Sequence, residues 1–203
     1  RRTWVCSCAY GFSLFNGRPG VVYHAIGRNG ATYSQYTSER FVRQLSLLEP
    51  AILIISLGTN ESYGTHFSAS DFITRVDRFV RLVQRYMPLT TIVLTTPAEN
   101  YLAARTTVTR RGKGKKRRTT TTVTRGYTRN VHVGEAAEAI LDYAAREGLA
   151  CFDLYGMTGG AGQGAAWGRA RRALAPCVYR ERGRLLYKAL VRSALDYQQR
   201  KRK

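Results

Sequence analysis

The order of short apolar runs and amphipathic segments most constrains how this chain can fold. Four runs have the composition of buried strands, and segments with helical periodicity separate them. The runs are Val21–Ile26, Ala51–Leu57, Thr91–Thr96 and Ala150–Leu154. The second is continuous and rich in isoleucine, which is typical of a central parallel strand covered on both faces. The alternation predicts a parallel sheet with helices on both faces.

The segments between the runs predict the helices. The clearest covers residues 68–86, where apolar side chains recur on one face and arginines cover the other. Ser68 and Asp71 are suited to cap its start, and Pro88 stops it. The other predicted helices cover residues 33–48, 134–147 and 183–199.

The positive charge is large and concentrated. The chain has 33 Lys and Arg against 13 Asp and Glu, a formal net charge of +20, and the segment 105–129 holds ten of the basic residues and no acid. Such a field attracts polyanions. The basic, threonine-rich insert 104–130 is compatible with a β-hairpin that has a cationic tip, or with a solvated loop. No apolar run approaches the ~18–20 residues of a membrane-spanning helix.

The cysteines do not indicate a metal centre. They show no CxxC pair and no spacing with histidine that suits a metal; they are Cys6, Cys8, Cys151 and Cys177. The glycine-rich stretch 156–168 lacks the Lys-Ser/Thr of a phosphate-binding loop. We therefore expect no metal and no cofactor, and Cys151 in its apolar run is expected to be a small buried hydrophobe.

Two loops place hydrogen-bond donors where a substrate would bind a parallel sheet. Gly27–Thr32 follows the first apolar run, and Leu57–Glu61 follows the second. A glycine lets its backbone N–H approach a ligand closely, and an asparagine amide offers two N–H donors. Donors that converge on one point make an oxyanion hole. Alternatively, each segment is a tight turn between strand and helix.

The sequence at these loops resembles a known family. Ser56-Leu57-Gly58-Thr59-Asn60-Glu61 is similar to the third sequence block of the SGNH (GDSL-type) hydrolases, and Gly27-x-x-Gly30-Ala31-Thr32 is similar to their second block. The resemblance implies a three-layer α/β/α sandwich of flavodoxin type. It also implies that Gly30 is the backbone donor and Asn60 the side-chain donor of an oxyanion hole. Glu61 stands where aspartate is commoner in the family.

A narrower resemblance concerns the substrate. The segments 23–27, 95–100 and 152–156 look like a Bacteroidetes-type branch, whose members resemble esterases of O-acetylated cell-envelope glycans. This implies an acylated glycan or another ester as substrate, and a periplasmic or exported location. Glu61, His66 and Trp167 would then contact the substrate. Residues 1–19 would be the tail of a preceding or inserted domain, and 20–203 the hydrolase-like domain.

The sequence departs from the family at both ends. No Gly-Asp-Ser nucleophile block occurs, and neither Ser7 nor Ser13 has the preceding aspartate. The stretch 175–183 is in register with the last Asp-x-x-His block, but Cys177 and Tyr179 lie near the expected Asp and His. We therefore expect no nucleophile in this chain, which would be N-terminally truncated and catalytically incomplete. The alternative function is a non-catalytic module that binds anionic glycan or nucleic acid through 105–129.

The histidines carry weaker expectations. His24, within an apolar run, is expected to be a core residue. His66 follows Asn60 and is either a solvated loop residue or part of the cleft. His132 precedes a predicted helix and is expected to support its start, and no histidine follows it in the chain.

Overall fold

The computed structural model describes residues 20–63, 66–111, 119–162 and 176–201. For 103–111, 119–125, 127, 176–179 and 201 it describes the backbone only. The expectations for residues 1–19, including Cys6, Ser7, Cys8 and Ser13, lie outside these ranges, as does that for Trp167.

A parallel sheet forms the centre of the domain. Its strands are β1 (Ile52–Ile55), β2 (Thr91–Thr95) and β5 (Ala150–Phe152), in the order β1-β2-β5. Ile52 pairs with Thr91, and Val93 pairs with Ala150. Because all pairs are parallel, the loops after these strands leave from the same edge of the sheet.

Helices cover the two faces of this sheet. On one face, α3 (Ala69–Tyr86) and α4 (His132–Arg146) share a core cluster with the strands. The helix α3 begins as predicted, since the Ser68 hydroxyl accepts a hydrogen bond from the Asp71 N–H at 3.2 Å. The helices α1 (Tyr33–Tyr36) and α2 (Glu39–Ser46) add Tyr33, Val42 and Leu45 to the same core.

The opposite face carries α6 (Pro176–Lys201). Cys151 packs against the first cluster, whereas its neighbour Phe152 lies in a second cluster with Ala98 and Leu154. Successive residues of a strand point to opposite faces, so the second cluster lies across the sheet. Leu185, Leu186 and Ala189 of α6 pack against it. The domain is a three-layer α/β/α sandwich, as the resemblance implied.

Several predicted elements differ from the observed ones. Residues 21–26 form no strand, and their side chains are exposed: Val21 is 96% and Tyr23 81% accessible. The predicted strand is therefore wrong, because no described strand pairs with this apolar segment. The prediction for His24 is also wrong, since it is exposed and not in the core. In the described part of the sheet, β1 is an edge strand and β2 the central one, and Ile52 is 50% exposed.

Two helix predictions also need correction. The expected helix 33–48 is divided into α1 and α2, because Ser38 starts a new helix by accepting a hydrogen bond from Phe41 N–H. The last helix was expected at 183–199 but begins at Pro176. The stretch that resembles the final family block therefore lies largely within the first turns of α6.

The basic insert forms a β-hairpin. Its strands are β3 (Tyr101–Arg111) and β4 (Thr119–Arg129), and they pair antiparallel from Tyr101–Arg129 to Arg111–Thr119. Of the two structures that the sequence allowed for this segment, the hairpin is the observed one. It makes a sheet separate from the parallel one.

The helices show no membrane segment. In the described ranges, no helix combines the length and the hydropathy that crossing a bilayer demands.

The helices α3 and α4 provide a test of the core. Tyr143 is buried and its hydroxyl donates to Asp77 Oδ1 at 2.9 Å, whereas the hydroxyl of the fully buried Tyr33 has no partner among the described residues. Burial raises the pKa of both phenols, so both stay protonated at neutral pH. Tyr143→Phe should lower the free energy of unfolding by about 1–2 kcal/mol, because it removes a satisfied bond to a carboxylate.

Tyr33→Phe is the matched control and should leave stability unchanged or raise it. Urea denaturation measures both variants. An equal loss in the two would contradict the hydrogen-bond assignment.

Candidate active site

The loop before α1 brings Gly30 to the carboxyl edge of the sheet. Ala31 N–H donates to the Arg28 carbonyl at 3.2 Å, which closes a turn around Gly30. Gly30 has φ +74°, a conformation that favours glycine, and nothing lies within 4 Å of where its Cβ would stand. A ligand therefore has room to approach the backbone here.

The loop after β1 presents Asn60. Gly58 adopts φ +109°, and a Cβ at this position would lie 3.2 Å from Phe72 Cζ in the core. Only glycine fits this turn without strain. The chain then forms a 3₁₀ helix over Glu61–Tyr63, and Ser62 N–H donates to the Gly58 carbonyl at 3.2 Å.

Two hydrogen bonds join these loops. Asn60 Nδ2 donates to the Ala31 carbonyl at 2.7 Å. Tyr33 N–H donates to Glu61 Oε1 at 2.7 Å. The residue after Gly30 thus contacts the Asn60 side chain directly, so the structure brings together the two loops that carry the predicted donors. Because an amide nitrogen has two hydrogens, the bond to Ala31 leaves one N–H of Asn60 for a ligand.

Glu61 and His66 lie at the same edge. Glu61 Oε1 is engaged by Tyr33, while Oε2 is buried without a partner among the described residues. His66 is exposed. Both line a shallow depression with ≈ 320 Å³ of empty space, open solvent included. Its other lining residues are Phe67, Ser68, Asp71, Phe72 and Arg75. The predicted contacts of Glu61 and His66 with substrate stay predictions.

Asn130 is the residue that sequence reasoning missed. Its side chain is buried, and Nδ2 lies within hydrogen-bond distance of three oxygens: Ser62 O at 3.0 Å, Ser62 Oγ at 3.1 Å and Asn100 Oδ1 at 3.0 Å. Asn130 Oδ1 accepts from His132 N–H at 3.2 Å, at the start of α4. The Asn130 backbone N–H also donates to the Asn100 carbonyl at 3.1 Å. This one amide connects the loop of Asn60, the base of the hairpin and α4.

His132 supports the helix start rather than facing open solvent. Its ring stacks on Phe67, with centroids 5.7 Å apart and an interplanar angle of 30°. Its Nδ1 lies 3.5 Å from Glu135 Oε2. The ring thus packs against the wall of the depression that His66 lines.

Hydrogen bonds from the end of β2 hold the loop after β5. Thr96 Oγ1 donates to Asp153 Oδ1 at 2.9 Å and accepts from Tyr155 N–H at 2.8 Å. Glu99 Oε1 accepts from Gly162 N–H at 2.6 Å, which holds the glycine-rich loop to the end of β2. Asp153 also accepts from Gly156 N–H at 3.0 Å, so it orients the loop.

The thiol of Cys151 is unsuited to nucleophilic attack. Burial, with a smaller contribution from the Asp153 carboxylate, raises its pKa to about 11. At neutral pH it is a protonated thiol, and the thiolate is the reactive form. Over the described residues, no three His, Cys, Asp or Glu side chains form a group suited to a metal ion.

The fold and the joined loops define an α/β sandwich of the acylhydrolase class. Residues 7–174 match the sequence model of the GDSL-like Lipase/Acylhydrolase family. The chain belongs to this family, as the resemblance of its loops indicated.

Solved structures share the fold. A peptidoglycan O-acetylesterase is 18% identical with a TM-score of 0.61, and the alignment covers 81% of this chain and 45% of that one. A putative acylhydrolase from Bacteroides fragilis is 15% identical with a TM-score of 0.55, covering 81% of this chain and 72% of that one. This chain thus spans less than half of the first relative. A search of curated protein sequences found no match.

Asn130 generates a stability prediction. Asn130→Asp places a carboxylate against the oxygens of Ser62 and Asn100, in a site that is only 2% exposed. Burying a charge against these acceptor oxygens, with the His132 N–H as its donor, should lower the free energy of unfolding by about 2–4 kcal/mol. Asn29→Asp, in the exposed loop before Gly30, is the control and should change it by less than about 0.5 kcal/mol. Equal effects in urea denaturation would show that the Asn130 network contributes little.

Proposed function

We propose that this chain binds the acetyl ester of a cell-envelope glycan in the manner of a carbohydrate O-acetylesterase. The observation that carries the proposal is the bond between Asn60 Nδ2 and the Ala31 carbonyl, which sets the Asn60 amide beside Gly30. The peptidoglycan O-acetylesterase with the same fold supports the choice of an O-acetylated glycan. We also propose an exported or periplasmic location, where a cell-envelope glycan would be met.

The chemistry of this class needs donors where negative charge develops. A serine hydroxyl attacks the ester carbonyl carbon, a histidine takes its proton, and the carbonyl oxygen becomes an oxyanion. The Gly30 N–H and the free N–H of Asn60 would hold that oxygen. Donors of this kind are worth roughly 3–4 kcal/mol each in the transition state.

The 203 residues lack two parts of that machinery. They contain no Gly-Asp-Ser triplet and no histidine after His132. We propose that the chain by itself binds the ester and hydrolyses it only slowly, since an oxyanion hole alone leaves residual catalysis.

Slow turnover makes ester binding measurable at equilibrium. The ligands are O-acetylated peptidoglycan fragments and the same fragments after mild alkaline de-O-acetylation. The acetylated form should bind about five- to thirtyfold more tightly, because one or two hydrogen bonds to the ester carbonyl are worth about 1 kcal/mol each. Asn60→Ala should reduce this ratio of affinities about fivefold, because it removes one of the two donors, and isothermal titration calorimetry measures it.

Gln44→Ala, at an exposed position of α2 outside the joined loops, is the control and should keep the preference. A module that only bound polyanions through residues 105–129 would bind both forms equally. Equal binding by the unmodified chain would contradict the ester site.

Catalytic incompleteness has its own assay. Hydrolysis of p-nitrophenyl acetate by the chain should stay far below an ordinary enzyme's kcat of about 1 s⁻¹ or more. Turnover at that level, lost in Ser7→Ala or Ser13→Ala, would show that a nucleophile is present after all. The Asn60→Ala variant distinguishes residual oxyanion-hole catalysis from free-solution hydrolysis.

A further inference from the structure

We propose that the β3–β4 hairpin binds a carboxylate-bearing glycan along one face, and that this polymer carries the ester for the neighbouring site. The inference rests on the proposed function for the link to the ester, but its binding surface is argued from the hairpin alone. The proposal specifies the partner of the basic insert as an anionic glycan, where its charge alone would allow any polyanion.

The register of the hairpin sorts its arginines. Residues directly opposite in an antiparallel pair lie on the same face, and faces alternate along each strand. Tyr101 pairs with Arg129, Arg105 with Arg125, and Arg111 with Thr119. These pairs are an even number of residues apart, so they share one face, which we name the basic face. The other face has Arg110 as its single arginine in the paired strands.

The basic face contains an unfavourable pair. Arg105 and Arg125 are direct cross-strand partners, and like charges in such positions destabilise a sheet. No Asp or Glu occurs between Glu99 and Glu135, so the segment itself offers no carboxylate to offset them. An anion bound along this face would relieve the repulsion.

The spacing fits a polymer rather than a small anion. Strands rise about 3.3 Å per residue, so the arginines extend over about 33 Å from Arg129 to Arg111. That length is several times the Debye length of ~8 Å at physiological salt. A small anion would therefore interact with the arginines at one position along the hairpin only. A chain with repeated charges can contact all of these positions.

The hairpin is attached to the candidate site. The Asn130 amide joins its base to Ser62, two residues after Asn60. Arg129 at the end of β4 lies close to Tyr155. Burial raises the pKa of the Tyr155 phenol, and the positive charge of Arg129 partly offsets that rise. The base of the hairpin therefore lies near the edge of the sheet where the two loops join.

The side chains favour a glycan over nucleic acid. Guanidinium groups bind carboxylates in a bidentate geometry. Aromatic residues that stack on bases are sparse, since the paired strands contain Tyr101 and Tyr127 and no Phe or Trp. The site proposed at its base would also take an acetyl ester, a group that the backbone and bases of nucleic acid do not carry.

Single-charge variants test the basic face. The probe is fluorescein-labelled polygalacturonate, which bears carboxylates and no acetyl ester, with dextran as the neutral comparison. Fluorescence anisotropy at 50 and 300 mM NaCl should show salt-sensitive binding to polygalacturonate and none to dextran. Arg105→Gln and Arg125→Gln should each weaken it about three- to tenfold at low salt, and Arg110→Gln on the other face less than twofold.

Three results would overturn the proposal. They are an Arg110→Gln loss equal to that of Arg105→Gln, binding that does not respond to salt, and tighter binding of duplex DNA with the same number of charges. Because the probe lacks an acetyl ester, failure here leaves the ester site intact. Loss of the acetyl preference in calorimetry would likewise leave the basic face intact.

Discussion

The candidate site depends on a buried amide that connects three parts of the chain. The Asn130 side chain donates toward Ser62 and Asn100 and accepts from His132 N–H. Ser62 belongs to the loop that carries Asn60, Asn100 precedes β3, and His132 begins α4. A buried amide lowers the stability of the fold when its hydrogen bonds are unmade, so the three segments are held in the arrangement that makes them. This residue therefore links the Asn60 loop to the base of the hairpin, in addition to the bonds that join the Asn60 loop to the Gly30 loop.

The elements that could be predicted from sequence are those whose signal is local. The isoleucine-rich run 51–57 and the run 91–96 each became a strand, and the amphipathic period of 68–86 gave α3 together with its Ser68 cap. The Asn60 loop was found because it follows β1, at the carboxyl edge of a parallel sheet. The Gly30 loop was expected at the same edge because it was placed after a strand, but the run 21–26 forms no strand. The bond between Asn60 and Ala31, which lie 29 positions apart, nevertheless brings the two loops together.

The features that could not be predicted from sequence depend on residues far apart in the chain. The run 21–26 has an apolar composition, but a strand needs a neighbour for its backbone hydrogen bonds, and no described strand supplies one. Asn130 lies 68 residues from Ser62, so nothing local marks it as a connection between loops. Only its place just before a helix, where Asn commonly caps, could have drawn attention to it. Glu61 was expected to face the substrate, yet one of its oxygens holds the start of α1.

We propose an ester-binding edge beside a basic hairpin, and the family assignment and the bond between the two loops support it. The most direct measurement of that account is a nuclear magnetic resonance titration with O-acetylated peptidoglycan fragments. It follows the Gly30 backbone amide and the Asn60 side-chain amide. If both donors serve one oxygen, both resonances shift with a single midpoint, while the Asn60 proton bonded to Ala31 stays protected from exchange. If the Gly30 resonance stays still while that of Asn60 moves, or neither moves at saturation, the two loops do not form a common ester site.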